Sequence, residues 1–410
     1  MKTKQWAVAA LVACSAGAYW WWAGAAAPGA TANATSLGTG TDAQPASGGT
    51  QPTAGAGALQ AAASGGTPLS AQGQQARRIQ LEIWRQRYDR AEQVYSSYKE
   101  STRYPPDSRP ISQHPDQVRP FAPILDDKPL RNPGGQATGG VRLRTTQERV
   151  FLSGQESTLL TVTGVDEEGK PTPITITRAI AINMPNGKNP GLKLQTALQF
   201  SDTGGEADAQ AGDGVFSARL QPATQGFSQF DGGIRVQLEV RHSGNTGQLA
   251  FDVVYASGVP ATWGAVSESL QAGSLYFNLK AQVRQAGRYV VSARVDDANG
   301  TPFALVSFND QVGEGAQTFR LQLHGILLHD LQPAFPLRLR DVEGFILYPD
   351  RFPDRAMMPR LPGVVHTTNT YPLTAFSNQE WTSEERERYL AEYGRDLDQA
   401  REQLRRLQPP

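Results

Sequence analysis

Between residues 141 and 350 apolar and polar side chains alternate with a period of two. Short runs such as Leu159, Thr161 and Thr163 against Leu160 and Val162, or residues 234–240, fit strands with one buried face. Turn clusters separate them: Asp166 to Lys170, Asn186-Gly187, Ser243 to Asn245. Gly258-Val259-Pro260 interrupts the series, and a second set follows at residues 275–281, 287–295, 303–308, 319–323 and 345–348. Asp297-Ala298-Asn299-Gly300 has the chemistry of a hairpin turn. Strands at intervals of roughly ten residues without intervening helical patterns predict two antiparallel β-sandwiches in tandem, over residues 141–258 and 259–350.

On either side the period changes to 3–4. Ile79, Ile83, Trp84, Tyr88, Ala91, Tyr95 and Tyr98 predict an amphipathic helix over residues 77–103. Tyr389, Leu390, Tyr393, Leu397, Ala400 and Leu404 predict another over residues 381–410, opened by a Thr382–Glu385 capping box. The two are expected to pair, within one chain or across a homodimer. Residues 104–140 and 351–380 are rich in proline, which fixes its own φ and extends its predecessor. They read as an extended strap and a loop. The single histidine of the strap, His114, reads as no more than a strap residue. The strand pattern also places His324 and His329 on opposite faces of a strand.

The first 27 residues are a different chemistry. Lys2 and Lys4 precede an uncharged apolar run over residues 6–27, about long enough for the ~20-residue helix that crosses a bilayer. The positive end predicts a cytoplasmic N-terminus and an exported remainder, with Tyr19 to Trp22 at the far interface. Three readings compete: a retained signal anchor, a signal peptide cleaved after Ala23-Gly24-Ala25, and a lipoprotein with Cys14 in a lipobox-like Leu11-Val12-Ala13-Cys14. The length of the run and its aromatic group favour the anchor, which predicts a single-pass protein of a bacterial inner membrane with its bulk in the periplasm. Residues 28–76 carry one charge, Asp42, and almost no large apolar residue, so they are expected to be a disordered linker.

Composition narrows the chemistry. Thirty-nine basic and thirty-nine acidic residues cancel, which leaves no whole-chain electrostatic footprint for nucleic acid. The one cysteine lies in the apolar run, so the rest of the chain has no disulfide and no thiolate chemistry. No nucleophile elbow, zinc helix, phosphate loop or dinucleotide fingerprint is present. A catalytic role is therefore not expected.

The stretch from Phe200 to Leu220 concentrates the remaining polar signal. Asp202, Asp208 and Asp213, with Glu206 between them, offer oxygens for Ca²⁺, although the spacing is not that of an EF-hand. The same aspartates and glycines also make tight turns with no ion. The sequence Asp202-Thr203-Gly204, Asp208, Ala211 to Ser217 resembles a D-x-G … D … D-G-x-F-S signature of immunoglobulin-like or fibronectin-III-like domains. These occur in bacterial exported and surface proteins and in chloride-channel accessory proteins. Residues 287–291 with Asp296 to Gly300 are similar to the next module of the bacterial members. The resemblance implies tandem sandwiches over about residues 145–350 with an adhesive or scaffolding role. The function expected is a membrane-anchored envelope protein that binds a protein partner; the alternative is a carbohydrate- or cell-wall-binding module, then an unrecognised hydrolase. Tyr276, Phe277, Tyr289 and Phe303 are the aromatic row a glycan site would use, if they are exposed.

Overall fold

The computed structural model describes residues 70–185 and 191–408. The apolar run at 6–27, Cys14, most of the linker and the Asn186-Gly187 turn lie outside them. No helix among the described residues is long and apolar enough to cross a membrane.

The described chain is mainly β, in antiparallel sheets. It begins with α1 (Ala71–Ser101), then β1 (Ser108–Pro110), β2 (Ile124–Arg131), β3 (Ala137–Gln147), β4 (Phe151–Ser153), β5 (Thr158–Val165), β6 (Thr175–Asn183) and β7 (Gln195–Ala197). It continues through β8 (Val215–Leu220), β9 (Gly232–His242), β10 (Asn245–Ala256), β11 (Ala261–Gln271), β12 (Ser274–Val283), β13 (Gly287–Asp296) and β14 (Pro302–Val312). After β15 (Gly315–Leu323) come α2 (Gly325–Leu331), β16 (Arg338–Leu347), β17 (Arg355–Met357), β18 (Leu361–Thr367) and α3 (Glu384–Leu407).

The first body is one wrapped sheet in the order β7-β6-β9-β10-β2-β3-β5-β8. Its pairs are antiparallel except for β4, which lies parallel on β10. The corner between β10 and β2 is held at a single register pair, Gln248 with Arg131. There Gly247 is required: a Cβ would come within 2.4 Å of Leu130 Cδ1. Leu130, Leu160, Val162, Leu220, Phe227, Phe230, Val236 and Tyr255 fill its core. In the second body a three-stranded sheet, β11-β12-β15, and a six-stranded one, β1-β14-β13-β16-β17 with β18 on β16, share a second core. Phe277, Tyr289, Val291, Phe319 and Leu339 are wholly buried in it.

Four local expectations differ from the structure. The strap contains a sheet strand, β2, which the density of prolines concealed. Pro129 is tolerated because β2 meets β10 at one pair only, so its absent N–H breaks no long ladder. The run between His324 and His329 is not a strand but α2, with His324 at its N-cap. Helix α1 begins at Ala71, inside the stretch expected to be linker. The cap of α3 is Ser383, whose hydroxyl accepts from Arg386 N, while Thr382 Oγ1 donates to Glu387 Oε1.

The strap serves both bodies: β2 enters the sheet of the first, while its earlier part crosses to the second, where β1 adds to the β14 edge, pairing Arg109 with Leu305. Further on, Gln117 meets Arg294, whose guanidinium is completely buried. Arg103 and Tyr104 both reach Asp330 on α2. At the other end of the chain α3 returns to lie antiparallel against α1.

Candidate functional site

The acidic stretch forms the loop between β7 and β8. Its base is clamped by a two-way pair, Ser201 N to Ser217 O and Ser217 N to Ser201 O, at 3.0 and 2.9 Å. Above that clamp Asp202, Asp208 and Asp213 each place a carboxylate oxygen within 4.8 Å of the others. Asp208 is buried, Asp202 half-buried and Asp213 exposed. Glu206 is not in the group; its backbone is left-handed, with φ of 56°. Oxygens on a common sphere of 2.3–2.6 Å radius lie no more than about 5 Å apart, so the three carboxylates fit the span of a Ca²⁺ shell.

The same oxygens already have partners. Asp202 accepts from Asp213 N and Gly214 N, each at 3.1 Å, which ties the two ends of the loop together. Asp208 accepts from Gly204 N at 2.7 Å and from the Ser217 hydroxyl at 3.4 Å. Asp213 accepts from Val215 N. Gly204 has φ of +72°, and a Cβ there would stand 3.0 Å from Ala211 N. The arrangement is a turn in which amide dipoles offset clustered negative charge.

The histidines are separate. His329 Nε2 bonds to Phe376 O, while His324 Nδ1 and His114 Nε2 are buried without a hydrogen-bond partner. Burial pushes the pKa of both His114 and His324 down, with Arg109 adding to the effect at His114. The aromatic row is core rather than glycan platform: Phe277 and Tyr289 are fully buried and Phe303 nearly so. Tyr276 lies under the Arg320 guanidinium, 4.5 Å from ring to cation.

A second candidate surface is the helical hairpin. Tyr98 meets Tyr389 and Tyr393 edge-on, with centroids 5.7 and 5.3 Å apart. Tyr95 lies against Gly394. The half-buried stripe of α1 runs Arg77, Leu81, Trp84, Tyr88, Ala91, Tyr95, Tyr98, yet no residue of α1 is buried. Ile79 and Ile83, assigned from sequence to the packed stripe, instead face outward, 53% and 40% exposed, with Val94 at 41%. The signal that separates them was present: Arg77 and Leu81 continue the 3–4 spacing from Trp84 backwards, whereas Ile79 and Ile83 begin a second seam. That seam continues through Gln86, Arg90, Gln93 and Ser97 at spacings of three and four, with one charge.

No family model matches this chain, and no curated protein matches it by sequence. Solved structures are similar in part. A DUF4785 family protein from Legionella pneumophila is 12% identical with a TM-score of 0.36, over 55% of this chain and 57% of that one. The Yersinia pseudotuberculosis adhesin InvE is 12% identical with a TM-score of 0.17, over 55% and 59%. The match thus spans less than two thirds of either protein.

Proposed function

We propose that this protein is a non-catalytic, membrane-tethered scaffold of the bacterial envelope whose helical hairpin binds a helix of a partner protein. The observation that carries the reading is α1: thirty-one residues long, with none buried and one face already taken by α3. Its other face presents Ile79, Ile83 and Val94 among Gln and Ser with a single charge, Arg90, at coiled-coil spacing. A third helix laid in that seam would bury the three aliphatic side chains. The lysine-led apolar run at residues 6–27 supports anchoring, and the polar stretch after it supports reach away from the bilayer.

The β bodies serve this role as a rigid mount. The two cores and their antiparallel strand order support reading them as tandem immunoglobulin-like sandwiches, in keeping with the acidic-turn signature. Carboxylates that draw the eye hold segments together: Glu268 accepts from His366, Asn369 and Tyr371, and Asp330 from Arg103 and Tyr104.

The test is a photo-crosslinker at position 83 of the full-length protein in its native envelope, with Val364, exposed on β18, as the control position. The expected result is one crosslinked partner from position 83, lost when Ile79 and Val94 become Asp with the melting temperature unchanged. Equal crosslinking from both positions, or none from 83, overturns the proposal. A doubled sedimentation mass abolished by Ile83→Asp assigns the face to a second copy of this chain instead.

A further inference from the structure

The chain passes from the first body to the second through residues 257–260, and a cavity of about 330 Å³ opens beside that crossing. Its walls come from both bodies: Asp231 and Ser257 on one side, Arg284, Gln285, Tyr348, Arg351 and Arg355 on the other. The volume is at the small end of ligand sites, and junctions between bodies are where such sites commonly form.

The charges of this cleft do not cancel. Asp231 Oδ1 accepts from both Ser257 N and Ser257 Oγ, at 2.7 and 2.9 Å, so that oxygen serves the crossing segment. Arg355 is held by Asp354 through two parallel bonds and lies over the Phe151 and Phe345 rings. Arg284 and Arg351 differ. Arg284 is fixed through its backbone, N to Pro260 O at 2.9 Å, which leaves the guanidinium at the cleft without an acidic partner among the described residues. Arg351 lies on the Tyr348 ring, 3.3 Å from its centroid, rather than on a carboxylate. Tyr348 OH donates to Gln285 Oε1 at 2.7 Å, so the amide orientation is set and the Gln285 Nε2 group remains as a donor.

We infer that this cleft binds a small dianion, a phosphate monoester or a dicarboxylate, between Arg284 and Arg351. Two guanidiniums lining one cavity, one of them laid on an aromatic ring, match the planar, two-point recognition for which arginine is suited. A ligand seated there would touch both bodies and bridge their crossing segment. The inference is independent of the helical face and goes beyond the proposed scaffold role.

The probes are inorganic phosphate and malonate, titrated calorimetrically into the protein at low ionic strength, with sodium chloride at matched ionic strength as the blank. Saturable heat from at least one anion is expected, and which of the two binds names the oxyanion. The double variant Arg284→Ala/Arg351→Ala should bind about tenfold more weakly or worse. Both residues are exposed, so the variant is expected to melt like the parent. Arg288→Ala, which removes an exposed arginine of β13 bonded to Asn309, should bind normally. No saturable heat from either anion, or equal loss in the Arg288 variant, overturns the inference.

Discussion

Arg77 Nε donates to the carbonyl of Leu407 at 3.0 Å, a bond between residues 330 positions apart. It closes the far end of the α1–α3 hairpin. At the near end Arg386 Nε donates to Thr102 Oγ1 and Arg386 NH2 pairs with Glu380. Both ends of the described chain therefore meet in one two-helix unit, whose mutual packing stabilises both helices.

The first prediction follows from the asymmetry of that unit. Leu397 and Ala400 of α3 are buried, whereas α1 has no buried residue. Leu397→Ala should cost about 2–3 kcal/mol locally, in the range of buried leucine truncations. Because α1 rests on α3, the loss should appear as a separate, earlier melting of helical circular dichroism at 222 nm. The β-sheet transition should stay in place. A single transition shifted as a whole would show that the hairpin is integral to the bodies.

The second concerns Glu268. Burial alone would push its carboxyl up, but the Asn369 amide, Tyr371 OH, His366 and the Asn369 side chain bond to it and hold it below the ordinary glutamate range. A depressed folded pKa contributes stability that is present above the unfolded value and is lost as pH falls through the folded one. Acid unfolding should therefore steepen below about pH 4.5, the ordinary glutamate region. Glu268→Gln should flatten that limb and lower stability at pH 7. An identical acid profile in the variant would refute the assignment.

Tyr104 reports on the alkaline side. Burial and its hydrogen bond to Asp330 push the phenol up to about 12. A raised folded pKa gives stability that is complete below the unfolded value near 10 and declines as pH rises towards the folded one. Tyr104→Phe should remove the decline attributable to this residue. Ultraviolet titration of phenolate should lose one late-ionising group in the variant; loss of an ordinary group would contradict the burial.

Much of this architecture was legible locally and some was not. Strands such as β9 and β12 have one buried face, so their alternation is written in the chain. The α2 run, Gly325-Ile326-Leu327-Leu328, is apolar on every position, and a buried helix cannot be told from a buried strand by such a pattern. The β2 strand was hidden because its proline, Pro129, is tolerated only through the single-pair contact with β10, more than a hundred residues away. In the acidic loop the three aspartates stand within twelve residues among turn-forming glycines, so their nearness along the chain was legible. The amides that they accept depend on the fold of the loop itself. Arg284 and Arg351 leave no local mark at all, since they are 67 residues apart and only the tertiary fold brings both to one cavity.

For the acidic loop, the amide partners are expected to govern its behaviour. Asp202→Ala removes the acceptor for two loop amides and should lower stability by about 1–3 kcal/mol. Melting of the parent should be the same with and without a chelator. A midpoint raised by millimolar Ca²⁺, and not in Asp208→Asn, would instead make the three carboxylates a cation site.

The strap supplies the last prediction. Arg294 is fully buried on β13; its Nε donates to Gln117 O at 2.9 Å, NH1 to Asp341 O at 3.1 Å, and NH2 to Glu343 Oε1 at 3.2 Å. Removing a buried cation while leaving its carboxylate in place costs about 3–5 kcal/mol, because the remaining charge is stranded. Arg294→Met should therefore destabilise strongly, and should free the strap, since Gln117 loses its anchor 177 positions away. Arg294→Met with Glu343→Gln should regain part of that loss, as no buried charge remains. Hydrogen exchange separates the two effects: the strap amides should exchange faster in both variants, while the melting temperature recovers only in the double one. Full protection of the strap in Arg294→Met would show that β1 pairing with β14 holds it alone.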